Sequence, residues 1–275
     1  MSTAVKKSNA VVIAMAARLK LANTRDRADV LLEEATKAKL TPRETLEFVL
    51  GQEIENRNAN RIRQAMMSAH FPFERTIEGF DLSAQPTVDP GQIRELSRMD
   101  WVTAGENLAL FGPPGVGKTH LAVGFGQLAI LAGYSVRFHN AATLVAILEK
   151  AVKDDALEAK LRELNKPKLL IIDELGYIPL GNEAAHLLFQ LVTRRYEHKS
   201  IIITANRAPS EWGSVFNGSS TSWAILDRLL HHCTKLTIQG DSYRLRESNK
   251  AAIKKQLDAT ENLPMIESTA ALNYL

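Results

Sequence analysis

The chain has 275 residues, 45% of them hydrophobic and 24% charged, with a formal net charge of +3. That is the composition of a globular protein with one large domain, or a core domain plus a small one, and so mild a positive charge does not by itself establish nucleic-acid binding. The single cysteine, Cys233, excludes an intrachain disulfide and fits a reducing, cytoplasmic setting. Val11 to Ala17 is too short and lacks the cleavage pattern of a signal peptide, and no run reaches the roughly 18 apolar residues of a membrane span.

Residues 1–70 read as a small all-helical domain. Arg27 to Ala38 has helical spacing, with Val30, Leu31 and Ala35 on one side. Thr41, Pro42 and Glu44 then announce a new helix, as N-cap, first helical residue and capping-box acid, running to about Ser68. Residues 71–90, with Pro72, Pro86 and Pro90, read as a linker. From residue 91 strands and helices alternate. The helices are Gln92 to Met99, Ala141 to Val152, Asp154 to Leu164, Asn182 to His198 and Trp223 to His232. The strands are the run before Gly112, then Ser135 to His139, Leu169 to Ile172, Ser200 to Thr204 and Lys235 to Ile238. The alternation predicts an α/β fold, a parallel sheet flanked by helices, over residues 91–275.

The most informative segment is Gly112-Pro113-Pro114-Gly115-Val116-Gly117-Lys118-Thr119, between a short apolar strand and a helix that begins near His120. This is G-x-x-x-x-G-K-[ST] in the context that defines a phosphate-binding loop. Its glycines let backbone N–H groups turn inward on a polyphosphate, and the helix adds its positive dipole end. Lys118 is placed for the β- and γ-phosphates of ATP and Thr119 for Mg²⁺. Downstream, the apolar Leu169 to Ile172 run ends in Asp173-Glu174. Two carboxylates at the end of a buried strand are costly unless used, and open α/β sheets bind ligands there. Asp173 is the Mg²⁺ partner of Thr119, and Glu174 the base that orients water. Asn206 ends the next apolar strand, either as a sensor of phosphate or water or as an ordinary turn residue. Arg228 lies on the helix before the last strand. Taken alone, it could equally pair with Asp227 or face solvent.

Five segments carry a family resemblance: Gly112 to Leu121, Leu170 to Tyr177, Arg195-Tyr196-Glu197, Asp227 to His232 and Gly240 to Arg244. Together they resemble the IstB-type helper ATPases of bacterial insertion sequences, within the AAA+ initiator clade that includes DnaA and the DnaC helicase loader. His120 and the Asp-Arg-Leu-Leu-His-His string are more diagnostic than the phosphate loop. The resemblance implies an AAA+ core with a small N-terminal helical domain. It implies an ATPase using ATP and Mg²⁺, assembling on double-stranded DNA and recruiting an IstA-like transposase. It gives Glu174 the hydrolytic role, Asn206 that of sensor, Arg228 that of a finger acting on a neighbour, and the tandem helices that of a DNA- or neighbour-facing insertion. The stretch after Gly240 is too short for a complete helical lid, so the lid is reduced or absent, with Arg244 or Arg246 as substitutes for its arginine. A DnaC-like helicase loader and a nucleotide-switched interaction module are the competing functions.

Candidate DNA contacts are Arg244, Arg246, Lys250, Lys254 and Lys255 near the C-terminus, Arg57, Arg61 and Arg63 in the helical domain, and Lys153 and Lys160. The sequence does not rank them, and each cluster also reads as a solvated face. With no base-reading motif, contacts to the DNA backbone are expected.

Overall fold

The computed structural model describes residues 3–177, 181–208, 211–212 and 220–243. It divides into two compact units, Met1–Ala69 and His70–Leu275.

The first unit is three helices, α1 (Thr3–Arg18), α2 (Ala22–Lys37) and α3 (Pro42–Ala69). The capping box before α3 is present: the Thr41 N–H donates to the Glu44 carboxylate at 2.7 Å, and the Glu44 N–H to the Thr41 hydroxyl at 3.4 Å. α1 takes up the Val11 to Ala17 stretch, and no helix among the described residues is long and apolar enough to cross a membrane. Ala16, Ala28, Leu31 and Ala35 are buried between the helices. Glu53 is buried with them. Its carboxylate accepts the Thr24 N–H at 2.9 Å and the Arg57 Nε–H at 3.0 Å, which satisfies a free donor in the first turn of α2. Arg57 also donates to the Lys20 carbonyl, so this candidate DNA cation is engaged inside its own unit.

The second unit is built on a five-stranded parallel sheet in the order β2-β3-β4-β1-β5. The strands are β1 (Asn107–Phe111), β2 (Val136–Asn140), β3 (Leu169–Asp173), β4 (Ser200–Ala205) and β5 (Cys233–Thr237). β1, β3 and β4 are buried at every position, which explains their unbroken apolar runs. The helices are α4 (Pro90–Leu96), α5 (Asp100–Ala104), α6 (Lys118–Leu131), α7 (Ala141–Lys153), α8 (Leu157–Leu164), α9 (Asn182–Arg195) and α10 (Ser220–Leu230). One core joins a face of the sheet to Leu144, Leu148, Leu161, Leu188, Leu191 and Leu229. The register pairs Phe111 with Ala205 and Asn140 with Asp173, so the chain leaves β1, β2, β3 and β4 along one edge.

Several element bounds differ from the sequence expectation: the expected Gln92 to Met99 helix is Pro90–Leu96, followed by Asp100–Ala104, α8 starts at Leu157 and α10 spans Ser220–Leu230. Helix α9 ends at Arg195, not His198, because Tyr196 turns extended and Glu197 takes φ 61° on the way into β4. The last strand begins two residues early, at Cys233, paired with Asn107. Residues 71–90 are packed on this unit. A side chain on Gly126 of α6 would meet Phe71 at 2.8 Å, and one on Gly124 would meet Ile77 at 2.7 Å.

At the opposite edge of the sheet Arg195 is fully buried. Its guanidinium donates to four carbonyls, of Leu164 (3.3 Å), Pro167 (3.1 Å), Lys168 (3.1 Å) and Ser200 (2.8 Å). Burial draws its pKa down to about 9, which still leaves it charged at neutral pH. Arg195→Met would orphan carbonyls that only a forked donor reaches, at about 1–3 kcal/mol each where water cannot replace it. We expect a loss of about 3 kcal/mol or more in urea unfolding; a loss under about 1 kcal/mol would show that the carbonyls find other partners.

Candidate functional site: a phosphate loop facing paired acids

The loop Gly112–Thr119 connects β1 to α6. Gly112, Gly115 and Gly117 hold φ of 148°, 85° and 97°, and a side chain on Gly112 would lie 2.1 Å from the Ile238 carbonyl oxygen. Only glycine fits there. Gly117 is the N-cap of α6, so the helix N-terminus opens into the loop. Lys118 is 7% exposed, and its ammonium donates to the Gly112 and Pro113 carbonyls at 2.8 Å each.

The acids of β3 meet this loop. The Thr119 hydroxyl donates to Asp173 at 2.9 Å from Oδ1 and 3.2 Å from Oδ2. Burial raises the Asp173 pKa against the pull of its bonds to Thr204 and Thr119. A hydroxyl beside a buried carboxylate is a hard oxygen donor set, suited to a small dication such as Mg²⁺. Glu174 follows with φ 60°, its N–H on the Thr204 hydroxyl at 2.9 Å and its carboxylate accepting from Asn140 Nδ2 at 2.8 Å.

Two of these partners were not legible beforehand. Thr204, fully buried, donates its hydroxyl to Asp173 at 2.6 Å while accepting the Glu174 N–H. One side chain thus fixes one acid's carboxylate and the other's backbone. Its only signal was a hydroxyl ending the apolar Ile201–Ile203 run. Asn140 ends β2, and its Oδ1 caps α7 through the Ala142 N–H at 3.0 Å while its amide holds Glu174. Thr204→Val keeps the shape and removes both bonds. We expect kcat to fall about tenfold or more with nucleotide affinity nearly unchanged, and Thr204→Ser to recover most of it. Equal losses in Thr204→Val and Thr204→Ser would mean that packing, not the hydroxyl, matters.

Residues 71–90 form a wall of the site. His120 Nε2 lies 2.8 Å from the Thr76 carbonyl, so Nε2 carries the proton. Burial, ahead of other causes, lowers the His120 pKa, in keeping with a neutral ring. The Phe80 ring stands edge-on to His120 at 5.4 Å and would lie 2.6 Å from a side chain on Gly117. On the other side the Tyr243 N–H donates to the Gly115 carbonyl at 3.0 Å, and Thr87 bonds Gln239 in both directions, at 3.2 and 2.8 Å. The open cleft between them is about 750 Å³, within the range of small-molecule and cofactor sites. Pro114 to His120, Glu174, Thr204 and Asn206 line it together with Phe73, Phe80 and Tyr243.

Arg228 is elsewhere. Its guanidinium lies 4.7 Å over the Phe189 ring of α9 and donates to the Ala224 carbonyl at 3.3 Å. It is absent from the cavity lining, to which Pro114 to His120, Glu174 and Asn206 contribute among the predicted residues, with Asp173 joined to it through Thr119. Among the DNA candidates, Lys160 is paired with Glu163 and Arg63 with Asn60, whereas Lys153 and Arg61 are exposed. Arg244, Arg246, Lys250, Lys254 and Lys255, with any lid, lie outside the described residues.

The sequence pattern of the family described as IstB-like ATP binding protein matches residues 14–251. The chain is 43% identical over 236 residues to the ATP-binding protein of insertion sequence IS21 from Pseudomonas aeruginosa, covering 86% of this chain and 89% of that one. It is also 43% identical over 230 residues to that of IS5376 from Geobacillus stearothermophilus, covering 84% and 92%. Among solved structures, AMPPCP-bound DnaA from Aquifex aeolicus superposes with a TM-score of 0.51 at 20% identity, covering 72% of this chain and 59% of that one, a likeness of fold. A phosphate loop facing paired acids on a β2-β3-β4-β1-β5 sheet, matched along most of its length by these relatives, makes the chain a member of the IstB-like ATP-binding proteins of insertion sequences, with a P-loop AAA+ fold.

Proposed function

We propose that the protein hydrolyses ATP with Mg²⁺, assembles with copies of itself on double-stranded DNA in the cytoplasm, and thereby recruits and activates the transposase of its mobile element. The observation that carries the catalytic part is the chain of contacts Thr119–Asp173–Thr204–Glu174, which sets a hydroxyl, a metal-type carboxylate and a candidate base around one loop. Bound ATP and Mg²⁺ supply the reacting phosphoryl group and much of the neutralising charge. Lys118 and the loop N–H groups would hold the phosphates, and Thr119 and Asp173 would hold the cation, in a cleft that Phe80 and Tyr243 also line. Glu174 takes the proton of the attacking water while Asn140 and the Thr204 bond fix its direction. Asn206, at the end of β4, donates to the phosphate or the water. The test is ATP turnover by the purified chain with and without duplex DNA: turnover that duplex stimulates supports the reading, and binding without turnover leaves a nucleotide-switched module instead. Capture of the transposase rather than a hexameric helicase separates the helper from a helicase loader.

The DNA contacts are assigned to lysines and arginines with no base-reading element. Affinity should therefore fall steeply between low and moderate salt, with a slope that grows with the number of phosphates engaged, and scrambled duplexes should compete almost equally. Strong preference for one short duplex at fixed salt would contradict this.

A further inference from the structure

Two motif segments, Tyr196-Glu197 and His231-His232, have no role in the nucleotide site, yet the fold brings them together. The His232 Nε2 is 3.7 Å from a Glu197 carboxylate oxygen, and the His231 and His232 rings are 4.1 Å apart. One ligand atom from each of Glu197, His231 and His232 falls within 4.8 Å of the others. We propose that these three side chains bind a transition-metal dication of the Zn²⁺ class, at the sheet edge opposite the phosphate loop.

The donor set is two imidazoles and a carboxylate, which suits Zn²⁺ and its neighbours and not Mg²⁺. Bonds of about 2.0–2.1 Å to a tetrahedral ion set nitrogen and oxygen ligands about 3.3 Å apart, so the 3.7 Å pair must close by a few tenths of an ångström and the remaining separations, within 4.8 Å, by up to about 1.5 Å, which rotation of these exposed side chains supplies. The Tyr196 hydroxyl lies 2.7 Å from His231 Nδ1. When Nδ1 carries the proton, the phenol oxygen accepts it and Nε2 keeps its lone pair for a metal, the usual outer-shell arrangement of a ligating histidine. The backbone is fixed on both sides. The His232 carbonyl accepts the Asn107 N–H at 2.8 Å, and the Asn107 side chain donates to the Leu229 carbonyl at 3.1 Å. Gly105 allows the Glu197 backbone to pack so close that a side chain there would lie 3.2 Å from its carbonyl. The histidines follow the C-terminus of α10, whose dipole favours a cation. The competing account is a surface His–Glu ion pair with no metal, which predicts no tight binding.

The test is calorimetric titration of the full chain with Zn²⁺ in excess Mg²⁺, followed by Co²⁺ substitution and its visible spectrum. One tight Zn²⁺ per chain is expected. His231→Ala, His232→Ala and Glu197→Gln should each weaken it about tenfold or more, and Tyr196→Phe by less. The intense visible bands of tetrahedral Co²⁺ should appear in the parent and vanish in the double variant His231→Ala/His232→Ala. Glu197 is exposed, so Glu197→Gln is the arm least coupled to folding, and unchanged nucleotide affinity verifies each variant's integrity. The proposal is overturned if the parent takes up no stoichiometric Zn²⁺. It is equally overturned if the double variant binds as the parent does, which is an adventitious ion only. Neither result bears on ATP hydrolysis, which is measured separately.

Discussion

Glu174→Gln should bind ATP with close to the parent's affinity and hydrolyse it about 10³-fold more slowly. The substitution alters one group in a fixed frame. The N–H bond to Thr204 at 2.9 Å is a backbone contact and survives, and the new amide oxygen can still accept from Asn140 at the position where the carboxylate does now at 2.8 Å. Lys118, Thr119 and Asp173 keep their neighbours, so phosphate and cation binding are untouched. What disappears is the capacity to take a proton from water. The nucleotide-bound state then persists, and complexes on DNA should grow larger and longer-lived than the parent's. The measurement is a single-turnover assay beside equilibrium binding of labelled nucleotide. Parent-like hydrolysis would remove Glu174 from its role. A joint collapse of binding and turnover would show instead that the negative charge itself shapes the site.

The phosphate loop was legible because it is contiguous. Gly112 to Thr119 needs only its own backbone and one helix end, so residue order carries the chemistry. Asp173 and Glu174 were legible because a buried strand ending in two acids violates the usual cost of burying charge. The pieces that join them were not. Thr204 is thirty-one residues beyond Asp173, and its importance arises only when β3 and β4 pair. Asn140 falls between the predicted strand and helix with no local signal, yet it both caps α7 and holds Glu174. Residues 71–90 show the same limit. Their prolines mark irregular backbone, which a linker and the wall of a cavity share. What distinguishes the two is contact with Gly117, His120 and Gln239, fixed by the tertiary fold alone. In the sequence Arg195 is only part of the Arg-Tyr-Glu motif, since nothing local says that its guanidinium will gather four carbonyls.

Arg228 gives the second large effect, and it separates a cooperative assembly from a self-sufficient ATPase. The side chain rests on Phe189 at 4.7 Å and outside the cavity that holds Lys118, Glu174 and Asn206. An arginine so placed touches none of the groups of its own site, which is the placement expected of a side chain that acts on a neighbouring copy. Arg228→Ala should therefore bind ATP nearly as the parent does, because its own loop and acids are intact, while turnover falls by roughly 10³-fold, the scale of a removed arginine finger. Assembly with ATP on DNA should weaken as well, since each boundary between copies loses a charge-assisted contact. Mixing decides the matter. Glu174→Gln subunits have a dead site and an intact Arg228, whereas Arg228→Ala subunits have an intact site and no finger. Combined, they should recover turnover at every boundary where the first presents its arginine to the second, with a maximum at intermediate ratios. Recovery from two inactive proteins has no explanation within a single subunit. If the two variants assemble together and no ratio restores activity, Arg228 does not act on a neighbour, and its place on Phe189 is a packing role alone.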